Sequence, residues 1–174
     1  MKQRYEYFSY TPCGQEVYFT INNENVKHKL KDYINDKIIF KEILENDIEF
    51  LDKAYDLYNN GEYKFKREKS MFLDILKSWS FKVYSIENND NFIGYMVVTP
   101  DKKYISELVV NEYELYLTVI ANYINYNNIE EVNIELPIWE KKKIRALFDI
   151  AEGSRINSSY QFNIINYEET LEVL

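Results

Sequence analysis

The stretch "KYISELVVNEYELYLTVIANYINYNN" (103–128) changes its period half-way along. Up to Val110 it is apolar and β-branched, as a strand within a sheet is. From Tyr113 to Asn127 its apolar residues recur at helical spacing. A strand that turns directly into a helix is the junction at which many α/β folds hold a phosphate, using glycines so that the backbone can approach closely. No glycine lies between Gly94 and Gly153. The stretch has the outline of a phosphate cradle without its usual residues.

Working outward, "FKVYSI" (81–86) and "FIGYMVVT" (92–99) read as strands separated from each other and from 104–110 by "ENNDN" and "PDKK", turns short enough for an antiparallel meander. Upstream, "KIIFKEI" (37–43) is a strand. A helix over 47–58 is expected to be capped by Asn46, with Glu49 three residues on, and to bury Ile48, Leu51, Tyr55 and Tyr58. "NNG" (59–61) ends it. A second helix, 67–79, places Phe72, Ile75, Leu76 and Trp79 inward. Downstream come the strand "EVNIEL" (131–136), a helix over 140–152 with Ile144, Leu147, Phe148 and Ala151 inward and Gly153 as its cap, and the strand "YQFNII" (160–165). At the N-terminus "YEYFSY" and "EVYFTI" flank "TPCGQ", which predicts a hairpin over 4–21, followed by a short helix over 24–34 entered through Asn22 and Asn23. The order from residue 37 is β-α-α-β-β-β-α-β-α-β. It predicts a mixed α/β (α+β) sheet, a meander plus βαβ crossovers, with helices on both faces. The chain divides into a hairpin and linker (1–36), a main domain (37–165) and the start of a C-terminal helix or of a following domain (166–174).

Composition excludes several classes. A 174-residue chain with 46% hydrophobic residues holds a core. No apolar run approaches the roughly 20 residues of a membrane span, and "MKQRYEYFSY" lacks the apolar centre of a signal peptide. A single cysteine, Cys13, permits no internal disulfide and suits a reducing cytoplasm. One histidine and one cysteine do not make a metal centre, and Cys13 and His28 lack the third, orienting group of a nucleophilic pair. A net charge of −8 argues against nucleic acid as partner. It favours a cationic small molecule through long-range steering. The basic runs "KFKREK" (64–69) and "EKKKIR" (140–145) are either solvated faces or a patch for an acidic ligand such as a nucleotide phosphate.

The order of elements resembles the GCN5-related N-acetyltransferases (GNAT), with "FIGYMVV", "ISELVV" feeding a helix and "EVNIELP" as the points of likeness. The resemblance implies acetyl transfer to a primary amine and acetyl-CoA as cosubstrate, without a metal. The donor is expected where the fourth strand of that family splays from the fifth, on the backbone of Leu108, Val109, Val110 and Tyr113. The family's loop reads Gln/Arg-x-x-Gly-x-Gly/Ala, whereas "VVNEYELYL" has no glycine and carries Glu112 and Glu114. Those glutamates suit the helix dipole but repel phosphate. The ends of the chain, 3–28 and 160–174, resemble the flanks of the degenerate second GNAT domain in tandem acetyltransferases of the enhanced-intracellular-survival type. The implied role is an inactive acetyltransferase-like domain, or a scaffold that builds an acceptor pocket or an oligomer. Its partners would be an amine, neighbouring domains or other copies of the chain.

Three residues are candidates for the acceptor side. Glu107, mid-strand in "ISELVV", is the candidate base, since a carboxylate in an apolar cleft suits proton transfer from an amine. A polar strand edge is the alternative place for it. Tyr160 is the candidate acid toward the thiolate, a role the resemblance implies. Trp139, between a strand and a helix, is the candidate wall of an acceptor pocket or of a domain interface, against simple packing.

Overall fold

The computed structural model describes residues 10–43, 47–61, 64–151 and 154–162, with side chains between residues 16 and 151 of these. The apolar, β-branched runs form seven strands, β1 (Tyr10–Asn22), β2 (Ile38–Glu42), β3 (Lys82–Asn88), β4 (Asn91–Val98), β5 (Tyr104–Val110), β6 (Glu131–Pro137) and β7 (Ser154–Phe162). They make one mixed sheet in the order β2-β3-β4-β5-β6-β1-β7. The expected meander is β2 to β5, antiparallel throughout. A crossover helix then returns the chain to a β6 parallel to β5, as short connections through a helix require.

Among the described residues five α-helices cover the two faces: α1 (Asn23–His28), α2 (Ile48–Asn59), α3 (Phe72–Leu76), α4 (Leu115–Asn127) and α5 (Lys141–Phe148). On one face Val119, Ile120 and Tyr123 of α4, with Ile144 and Leu147 of α5, pack on Phe19, Ile21, Val132 and Ile134. On the other, Phe50 and Tyr58 of α2 and Phe72 of α3 pack on Val83, Tyr95 and Val97. β4 is therefore buried from Ile93 to Val98, as a strand covered on both sides is. β6 buries only Val132, Ile134 and Leu136, alternating with Asn133 and Glu135, because no helix among the described residues packs on its second face.

Four local expectations are corrected. Residues 10–22 are one strand, not part of a hairpin: Pro12 faces Tyr160 and Gly14 faces Ser159, so Cys13 is the extra residue of a bulge. Pro and Gly signal a bulge as readily as a turn, and β1 finds its partners in β6 and β7. Residues 4–9 lie outside the described residues. The helix at 48–59 is capped by Asp47, which accepts from the Phe50 amide, and it buries Phe50, Ala54 and Tyr58 while Ile48 is exposed; Asn46 lies outside the described residues. The helix expected over 67–79 stops at Leu76, because Trp79 and Ser80 take left-handed backbone angles (φ 61° and 62°). Trp79 is consequently 86% exposed rather than in the core. α5 ends at Phe148, which is exposed; Gly153 lies outside the described residues.

Candidate functional site

Parallel pairing between β5 and β6 covers only Tyr104 with Asn133 and Ile105 with Ile134. Past that point the strands part. The divergence begins at a bulge: Val98 faces Ile105 and Val97 faces Glu107, which leaves Ser106 as the inserted residue. Leu108 is thereby turned into the core, while Glu107 and Val109 face α2 and α3. Where the strands have separated lies a cavity of about 340 Å³, lined by Val109, Val110 and Asn111 on one side, Trp139, Glu140 and Lys143 on the other, and Tyr58 at the end of α2. That volume is within the range of small-ligand sites, roughly 300–1,000 Å³.

The entrance to α4 follows directly on Asn111, the last residue of the β5 side to line this cleft. The Leu115 amide bonds Glu112 O and the Tyr116 amide bonds Tyr113 O, and no side chain caps the helix. The amides before them are free to meet an anion. Against this, Glu112 and Glu114 stand exposed on either side of Tyr113. Lys143, the cation lining the cavity, is paired with Glu140 at 3.0 Å. Its ammonium also lies 5.2 Å from the Tyr116 ring, whose buried hydroxyl has no partner among the described residues. These residues do not fit a pyrophosphate: both free carboxylates oppose it and the lysine is engaged.

Glu107 lies two residues from the cleft and accepts three hydrogen bonds. Arg67 donates Nη1 to Oε1 at 3.0 Å and Nη2 to Oε2 at 2.8 Å, a bidentate pair, and the Tyr95 hydroxyl donates to Oε1 as well. The guanidinium lies 4.4 Å from the centroid of the Tyr58 ring. Burial, with the Glu107 carboxylate beside it, pushes the Tyr95 phenol far above its ordinary value. Three of the roughly four acceptor sites of the carboxylate are thus taken by a guanidinium and a hydroxyl, so in this arrangement Glu107 stands as the partner of Arg67 and Tyr95.

The other candidates divide. Val109, Val110 and Trp139 share the cleft, and Trp139 is 40% exposed at its wall. The backbone of Tyr113 stays at the entrance of α4, while its side chain turns away: the hydroxyl donates to Lys142 O at 2.8 Å, and with Glu114 it lines a separate cavity beside Lys29 and Ile150. Tyr160 is in β7, beyond β1 as seen from β6, and its side chain is outside the described residues. Arg67, Tyr95 and Lys143 were not singled out from the sequence. Arg67 stood inside a basic run whose other members go elsewhere, Lys66 to Glu68 and Lys69 to Asp52.

A pair of carboxylates lies on the other part of the sheet, where Glu16 of β1 meets Glu135 of β6. Partial burial first, then the charge and hydrogen bond of Glu135, raise the Glu16 pKa above the ordinary 4.5. The folded state thus keeps this proton to higher pH than the unfolded state. Its contribution to stability is complete below about pH 4.5 and is lost as pH rises through the folded value. Glu16→Gln is expected to melt higher than the wild type at pH 7 and to lose that advantage toward pH 4. A difference in melting temperature that does not change with pH would contradict this.

No protein-family model matches the sequence, and no curated protein does. Solved structures do. A GCN5-related N-acetyltransferase from Kribbella flavida superposes with a TM-score of 0.60 over 92% of this chain at 12% identity. The fold is that of the GCN5-related N-acetyltransferases. A GNAT structure from Anabaena variabilis gives 0.55 over 92% at 15% identity, and Eis1 from Mycobacterium abscessus gives 0.53 over 91% at 12%. The chain spans 40%, 42% and 44% of these three proteins. The splay of β5 from β6 falls where the resemblance places the donor. Among the described residues no helix is long and apolar enough to cross a membrane, and no group of three His, Cys, Asp or Glu is placed to hold a metal.

Proposed function

We propose that this chain is a degenerate GNAT domain, resembling the second domain of the tandem enzymes, which does not transfer acetyl groups in isolation. It builds the amine-acceptor side of a larger acetyl-CoA-dependent acetyltransferase. The observation that carries this reading is the entrance of α4: a first turn without glycine, flanked by the exposed Glu112 and Glu114, next in sequence to the strand that lines a cavity whose lysine is already paired. The retained cleft, with Trp139 in its wall, supports a role in shaping a pocket. The occupied state of Glu107 supports the absence of an independent base. The preserved cavity also favours a second reading, direct acetyl transfer by this domain.

Calorimetric titration with acetyl-CoA separates the two. The expected result is no measurable heat at millimolar ligand. A dissociation constant of tens of micromolar or tighter, about −6 kcal/mol, would establish donor binding and overturn the scaffold reading.

A further inference from the structure

Arg67 fills a site whose walls are complete without it. Glu107 of β5, which accepts from the Tyr95 hydroxyl of β4, supplies the anionic floor, and Tyr58 of α2 and Phe72 of α3 supply two aromatic faces, 4.4 Å and 5.9 Å from the guanidinium carbon. A carboxylate under aromatic rings recognises a cation through charge, directed hydrogen bonds and the ring quadrupole together. All four wall residues stand on regular elements. Arg67 does not: residues 64–68 form neither helix nor strand, and Lys64, Phe65, Lys66 and Glu68 are exposed. This segment is tied to α2 by three side-chain bonds, Tyr58 Oη to Phe65 O at 2.6 Å, Tyr55 Oη to Arg67 O at 3.1 Å and Lys64 Nζ to Asn59 O.

We infer that Glu107, Tyr95, Tyr58 and Phe72 form a recognition cage for a guanidinium or primary ammonium group, and that Arg67 is its resident occupant, displaced by a ligand cation when residues 64–68 withdraw. The cage adjoins the cleft: Tyr58 belongs to both, and Val109 is two residues along β5 from Glu107, about 7 Å at the rise of a strand. A cation held at Glu107 would extend a short alkyl chain into the cavity toward Trp139. The ligand class is therefore a short alkylamine or alkylguanidine. The inference rests on the acceptor-side reading of the domain, although the cage can be tested without any acyl donor.

The test uses Arg67→Ala and methylguanidinium as probe, with sodium chloride at equal concentration as control. At ten times a millimolar dissociation constant, the probe is expected to raise the melting temperature of the variant by about 4 °C. In the wild type Arg67 competes for the cage, so the gain should be much smaller. Adding Glu107→Gln to Arg67→Ala should abolish the gain. Equal responses in wild type and Arg67→Ala, or a gain that survives Glu107→Gln, would overturn the cage. Should Arg67→Ala fail to fold, Arg67→Lys carries the test: its single ammonium replaces the bidentate pair, so the probe should displace it with a smaller gain, and no gain would be equally decisive against the cage. A positive response together with tight acetyl-CoA binding would keep the cage and remove the scaffold reading. No response together with no acetyl-CoA binding would remove the cage alone.

Discussion

Glu107→Ala is expected to lower the stability of the domain by about 3 kcal/mol, a fall in melting temperature of roughly 6–12 °C. The pair it breaks is bidentate, and its two side chains are only 16% and 20% exposed. Removing the carboxylate leaves the Arg67 guanidinium among Tyr58 and Phe72 with no anion, and leaves the buried Tyr95 hydroxyl without its acceptor. Most of the loss is the cost of an uncompensated charge rather than the net value of the pair. The double variant Arg67→Met/Glu107→Leu removes both charges and is expected to recover about 2 kcal/mol of the loss. The Tyr95 hydroxyl is orphaned in both variants and cancels from their difference. Urea unfolding of the two proteins measures that difference directly, and a single variant no less stable than the double would refute the account.

Gly94→Ala is expected to cost about 3 kcal/mol for a different reason. Gly94 sits in β4 opposite Ile86 and Val110. A Cβ added there would lie 2.3 Å from the Val109 carbonyl oxygen and 3.0 Å from the Val110 Cα. Both are backbone atoms, so no side-chain rotation relieves the contact and β5 itself has to move. The segment displaced is the one that lines the cleft. Thermal melting of the variant should show the loss. A change below about 1 kcal/mol would mean that β5 yields more freely than a close-packed sheet does.

The sheet was legible from the sequence because strands and helices differ in period. Residues 104–110 and 115–127 fall where alternation and helical spacing place them, and the meander follows from its short turns. Trp79 shows where spacing fails: it continues the i, i+3, i+4, i+7 stripe from Phe72, yet the helix ends at Leu76 and two left-handed residues turn the indole into solvent. No local signal distinguishes that from three more residues of helix. Pro12 and Gly14 are ambiguous in the same way, since a bulge and a turn ask for the same residues. For the site, the missing glycines were visible but the engagement of Glu107 was not. Its partner lies 40 positions away in a run of like charges, and the pairing exists only once α2 and α3 have packed on β4 and β5.

The position of β1 has a consequence for synthesis. Its neighbours in the sheet are β6 and β7, and the Thr20 hydroxyl reaches Asn133 across 113 positions of sequence. At about 5–20 residues per second a ribosome needs on the order of ten seconds to make that stretch. Until then Val17, Phe19 and Ile21, all of them buried in the finished fold, have no partner strand and remain open to whatever else can pair with them. The loop that must close is long, so its entropy is lost before most of the contacts it brings are made. The meander is therefore complete while β1, on its N-terminal side, is still unpaired, a natural ligand for chaperones and the segment from which misassembly would start.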